Sequence, residues 1–157
     1  MRPPRRRSAR LACWAVSGVP VIWKETKARA RALQVLYAME ISQDWNAPEA
    51  IARLSRLTGP DPTVFDQAES LVTSVLRERE ELDLRVARAS DNWRLDRVAA
   101  VERNILRIGI HELQRGEVPP RVVIDEAIQL AHWFGGLKAP AFVNGVLDRV
   151  ARDLGQL

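Results

Sequence analysis

From residue 26 to residue 154 the apolar positions of this chain recur every three or four residues, the spacing of one face of an α-helix. Ala32, Leu33, Leu36 and Met39 define a first helix, running from an N-cap at Thr26 to about Ser42. Asn46 and Glu49 stand in capping-box register before a short second helix that ends before Gly59. Asp61-Pro62, an N-cap followed by proline at the first helical position, opens a third helix. Its inward positions are Val64, Phe65, Ala68, Leu71, Val72, Val75 and Leu76. The charged run Arg77 to Glu81 reads as a solvated helix end, and a fourth helix over about 81–90 carries Leu82 and Val86. Asp96 then caps the strongest helix. Its stripe of Val98, Val101, Ile105, Ile108 and Leu113 is widened by Leu106, Gly109 and Ile110, as expected of a central helix buried on most sides. Pro119-Pro120 breaks it, a sixth helix spans 121–134, and Gly135-Gly136 ends that one. No strand-like alternation and no internal repeat interrupts this pattern, which predicts an all-α fold of about seven helices.

The last helix contains a contradiction. Ala139-Pro140 starts it, and Val143, Val146, Leu147, Val150 and Leu154 share one face. Asn144-Gly145 nevertheless sits inside, although a mid-helix glycine costs roughly 1 kcal/mol against alanine and Asn-Gly is ordinarily a turn signal. The expected compensation is a close helix contact at Gly145 and a satisfied hydrogen bond at Asn144.

Composition narrows the chemistry. The 157 residues, 46% hydrophobic and 28% charged, suit one globular domain over residues 24–157. No apolar run approaches the ~18–20 residues that cross a bilayer. The single cysteine, Cys13, excludes an intramolecular disulfide and a cysteine-based metal site, and His111 and His132 lack the spacing of a metal motif. No cofactor is expected, and a reducing cytoplasm fits. Residues 1–23 read as a disordered extension, Arg/Pro-rich and then apolar. They imitate a secretory leader but offer no small-x-small cleavage site before Lys24. A natural start further along is the other reading. Residues 1–35 carry nine Arg or Lys and one acid, a net +8, whereas the remainder is net −4. A basic arm on a mildly acidic body fits a polyanion partner or a merely solvated tail.

Four segments together resemble the NusB family of bacterial transcription antitermination factors. Ala30-Arg31-Ala32-Leu33-Gln34-Val35-Leu36-Tyr37 is similar to that family's opening helix. The run from Val101-Glu102 through Ile105-Leu106-Arg107-Ile108 to Glu112-Leu113 resembles its central helix. The run Val123-Ile124-Asp125-Glu126-Ala127-Ile128 follows Val118-Pro119, and Phe142-Val143-Asn144-Gly145-Val146-Leu147-Asp148 closes the series. All four occur in family order and cover roughly residues 26–154.

The resemblance implies two small helical bundles packed together and a binding protein, not an enzyme. It implies that the chain pairs with NusE, a ribosomal protein of the small subunit, and binds boxA RNA in nascent rRNA transcripts. There it would act with RNA polymerase and the other Nus factors in terminator read-through. It implies RNA contacts at the start of the first helix (Lys27, Arg29, Arg31, with Tyr37 beyond) and at the entrance to the last (Lys138, Phe142). Single-stranded RNA requires such pairings of cations with flat rings. Tyr37 and Phe142 equally suit core positions, and Asn144, Gly145 and Asp148 suit a structural role. Trp93 and Trp133 fit packing anchors or, if exposed, a protein interface. Two features depart from the family: Arg5-Arg6-Arg7 lies about twenty residues before the first helix, and Ala141 precedes Phe142 where a basic residue is usual. The alternatives are a relative of the helical domain of rRNA cytosine-5 methyltransferases and a scaffold that binds only protein. No GxGxxG-like loop supports the former. Monomer and homodimer are both compatible with the resemblance.

Overall fold

The computed structural model describes residues 23–91 and 94–157. The expectations for the N-terminal extension, Cys13 and Trp93 lie outside these residues. The described residues form seven α-helices and no strand: α1 Lys24–Ser42, α2 Ala47–Thr58, α3 Pro62–Arg77, α4 Arg79–Ala89, α5 Ala100–Arg115, α6 Pro120–Phe134 and α7 Ala139–Asp153. A single 3₁₀ turn, Leu95–Arg97, precedes α5.

Two helix starts carry the side-chain caps expected of them, and three other capping expectations fail. Asn46 Oδ1 accepts the Glu49 amide at 3.3 Å, and Asp61 Oδ1 accepts that of Val64 at 3.4 Å, so α2 and α3 are capped as expected. The reciprocal half of the capping box is not formed. Asp44 Oδ1 takes the Asn46 amide at 3.2 Å, and Glu49 pairs with Arg53 one turn on. Thr26 is not a cap: α1 begins at Lys24 after an extended Trp23, and Thr26 is buried in the first turn. Nor does Asp96 cap α5. It lies in the 3₁₀ turn, and α5 starts behind an Ala99 that offers no side-chain acceptor. Arg103 of α5 reaches back instead, its Nη1 donating to the Leu95 and Val98 carbonyls at 3.0 and 2.9 Å. At the other end α5 stops at Gly116, with φ 67° and its amide donating to the Glu112 carbonyl, before the prolines are reached.

Helices α1, α2 and α3 pack on one another, as do α4, α5, α6 and α7, and α1 and α3 cross onto α5. These are the two small bundles expected. One continuous core runs through both, from Met39, Ile51 and Val72 to Leu82, Ile105 and Leu147. Helix α5 is the shared wall, with Ile105, Leu106, Ile110 and Leu113 all fully buried.

Polar clamps cross this wall. Glu40 of α1 accepts from Arg103, from Asn104 Nδ2 at 2.7 Å and from Arg107 Nη1 at 3.1 Å. Arg107 also forks onto Asp83 of α4, with its Nε and Nη2 at 2.6 and 2.9 Å from the two carboxylate oxygens. Burial alone would raise the Glu40 pKa, but the hydrogen bonds from Arg103 and Asn104 and the charge of Arg107 hold its carboxyl below the usual range. The run after Arg77 is not simply solvated either. Glu78 Oε2 lies 2.7 Å from Nδ1 of the buried His111, and Glu81 accepts from Gln114 at 3.0 Å. His132 is exposed.

Candidate nucleic-acid interface

The first turns of α1 hold Lys24, Lys27, Arg29 and Arg31. Helical geometry separates them. Lys27 is exposed, and among the described residues it pairs with no carboxylate. Arg31, four residues on and therefore on the same side, donates Nη1 to Gln34 Oε1 at 2.8 Å and likewise meets no acid.

Arg29 points inward, and this corrects the sequence expectation. The residue is 8% exposed. Its Nη2 and Nε donate to Glu112 Oε1 and Oε2 at 2.7 and 2.9 Å, and Nη1 lies 3.4 Å from Glu126. Burial would lower its pKa, but the hydrogen bond and charge of Glu112 and the charge of Glu126 outweigh that and raise it. A guanidinium held by two carboxylates has little left for phosphate. Arg29 therefore joins α1 to α5 and α6, fixing where Lys27 and Arg31 stand.

Tyr37 lies ten residues beyond Lys27, about 15 Å along the helix axis. It is half-exposed on α1, as is Ile41 one turn later. The structure thus does not place Tyr37 beside the cations at the start of α1.

At the other candidate region Lys138 occupies the N-cap position of α7 and Phe142 lies one turn inside it. The two line one cleft of about 230 Å³ with Arg97, Val98 and Glu102. Lys138 is exposed, whereas Phe142 is half-buried against the core. A buried oxygen of Glu102, Oε2, has no hydrogen-bond partner among the described residues.

The expectation for Asn144-Gly145 is overturned. Asn144 is exposed and makes no side-chain hydrogen bond among the described residues, and a Cβ on Gly145 would meet nothing within 4 Å. The close approaches belong to other glycines. A Cβ on Gly109 of α5 would lie 2.8 Å from Leu147 of α7. One on Gly135 would lie 2.6 Å from Ala139 and 2.8 Å from the Ala131 carbonyl. Gly135 thus permits the tight turn that delivers Lys138 and Phe142. Asp148 accepts from Arg152 at 2.8 Å on the surface of α7.

Two exposed rings end α6: Trp133, which the sequence offered as a packing anchor or an interface residue, and Phe134, to which it assigned no role. Trp133 and Phe134, the last residues of α6, are 44% and 38% exposed, and neither joins the core. Their position at the end of an amphipathic helix, just before Gly135-Gly136, was the available clue. They border a groove of about 470 Å³ that Lys27 and Arg31 also line. The connection 135–138 thus stands between two cation-bearing clefts, with Leu137 fully exposed on it. Among the described residues no group of histidine, cysteine and carboxylate side chains can hold a metal ion, and no helix is long and apolar enough to cross a membrane.

The family model for the NusB family matches residues 26–152. The chain is 44% identical over 132 residues to the transcription antitermination protein NusB of Anaeromyxobacter dehalogenans strain 2CP-1, covering 83% of this chain and 92% of that one. It is 44% identical over 130 residues to the protein of the same name from Sorangium cellulosum strain So ce56, covering 82% and 92%. Among solved structures it is similar to T. maritima NusB, with a TM-score of 0.75 and 28% identity over 82% of this chain and 91% of that one. It is equally similar, with a TM-score of 0.75 and 27% identity, to a chain in a crystal structure of antitermination factors NusB and NusE with double-stranded RNA. That match covers 85% of this chain and 99% of the other.

Proposed function

Since this chain belongs to the NusB family, we propose that it is an RNA-binding transcription antitermination factor that binds boxA RNA of nascent rRNA transcripts together with NusE. In this reading it works in the cytoplasm, on RNA polymerase and with the other Nus factors, and promotes read-through of terminators. Its contribution is binding, not catalysis.

One observation carries the reading. The chain has the fold of an antitermination factor solved together with NusE and RNA, over nearly that protein's whole length. The surface agrees. Lys27 and Arg31 on α1 and Lys138 at α7 present cations that no carboxylate of the described residues neutralises. Each such charge set on a phosphate releases counterions, so affinity falls with salt by about 0.7 log units per log unit for each phosphate on a single strand. Phe142, beside Lys138, can contribute a ring edge to a splayed base. Arg29 contributes by holding α1 in place, and Tyr37 lies too far along α1 to share a nucleotide with Lys27.

The test is binding of boxA RNA against a scrambled RNA, with and without NusE, across a salt series. Selective binding that NusE strengthens and salt weakens is expected. Lys27→Gln and Arg31→Gln should each flatten the salt slope by about 0.7. Equal, weak binding to both RNAs even with NusE present refutes the reading.

A further inference from the structure

We propose that the groove between the start of α1, the α2–α3 turn and the end of α6 is a base-binding subsite for single-stranded RNA, with Trp133 as its stacking platform. The inference rests on the RNA-binding reading above and adds a place and a mechanism that none of Tyr37, Lys138 or Phe142 supplies.

The argument begins with the rings. A tryptophan and a phenylalanine left about two-fifths exposed keep apolar surface in water without contributing to the core. They stand edge to face, with centroids 6.4 Å apart and planes at 85°. That arrangement suits the charge distribution of the two rings and fixes their relative orientation. A braced, half-exposed ring loses little freedom when a base lies on it.

The surroundings select the ligand. The groove's volume, about 470 Å³, is within the roughly 300–1,000 Å³ range of clefts that hold small flat molecules. Lys27 and Arg31 stand on its α1 wall. Its one acidic side chain, Asp61, is engaged in capping α3. Pro60 also lines it. Flat rings for a base with unneutralised cations for the flanking phosphates are the pairing that single-stranded nucleic acid requires. A purely apolar protein side chain would make no use of the two cations.

Stacking is tolerant of base identity and of ring type, because every base has a π-face. The test therefore compares Trp133→Leu, which keeps apolar bulk, with Trp133→Phe, which keeps a ring. Variants of boxA RNA with one abasic nucleotide at successive positions locate the base. We expect Trp133→Leu to weaken boxA binding by about 5- to 150-fold, with the salt slope unchanged. Trp133→Phe should stay within a few-fold of the parent. One abasic position should weaken the parent protein and cost nothing further in Trp133→Leu. Melting of both variants should match the parent, because the side chain lies outside the core. As a second readout, RNA should quench the parent's tryptophan fluorescence more than that of Trp133→Phe.

If the parent binds boxA selectively and Trp133→Leu binds it equally well, the subsite is refuted while the antitermination reading stands. If Trp133→Leu leaves binding to RNA alone intact and loses only the strengthening by NusE, the groove holds a protein and the proposal is likewise refuted. Absence of selective binding by the parent removes both readings.

Discussion

Arg29→Ala separates a positioning role from an RNA contact. In the folded protein the Arg29 side chain is 10% exposed and faces Glu112 and Glu126, whose side chains are 15% and 23% exposed. Removing the cation leaves two carboxylates of α5 and α6 facing each other with no counter-charge, and takes the arginine stem out of the α1 contact. Truncating one partner of a buried ion pair costs about 3–5 kcal/mol. Water reaches part of both carboxylates here, so a loss of about 2–4 kcal/mol is expected. For a folded unit of this size that lowers the melting temperature by about 6–16 °C. Arg29→Lys should fall between the two, since it keeps the charge and loses the two-pronged hydrogen bonding. Arg29→Met combined with Glu112→Leu should recover much of the loss, because an apolar pair can replace a buried ion pair. The assays are thermal melting by circular dichroism, and RNA binding well below the melting range across a salt series. The salt slope of Arg29→Ala should match the parent. A variant that melts like the parent while its slope flattens by about 0.7 would refute the argument and return Arg29 to the RNA surface.

Three further outcomes follow from the same geometry. Gly145→Ala should stabilise the protein by about 0.5–1 kcal/mol, read as a raised melting temperature, since the added methyl meets open space. Gly135→Ala should destabilise by about 1–3 kcal/mol in denaturant titration, because its Cβ would press on Ala139 and on a backbone carbonyl. It should also weaken RNA binding by moving Lys138. Glu40 has a depressed folded-state pKa, so its contribution to stability is present at neutral pH. That contribution is lost as pH falls from about 4.3, the unfolded value, through the lower folded value. Glu40→Gln should be less stable than the parent at pH 7, and the gap should close in acid. A gap that stays constant across that range would mean Glu40 is not charge-paired.

The sequence by itself determined the seven helices, most of their ends and the family. Those features are local: apolar spacing reports which face is buried, and Asn46 and Asp61 cap within three residues of themselves. Family likeness extends this, because the four motifs record which faces meet without naming the atoms. Side-chain roles that depend on distant partners were decided only by the tertiary structure. Arg29 reads as one more cation in a basic run until α5 brings Glu112, 83 residues away, against it. Glu40 meets Arg103, Asn104 and Arg107 across more than sixty residues of chain. The unusual glycine of α7 proved open, while the ordinary-looking Gly109 lies under Leu147, because a close approach is fixed by how two helices cross. Trp133 has the same local context whether it anchors a core or faces water. The assembled helices leave it half-exposed on a groove that Lys27 and Arg31 also line, and that placement is not written in any single segment.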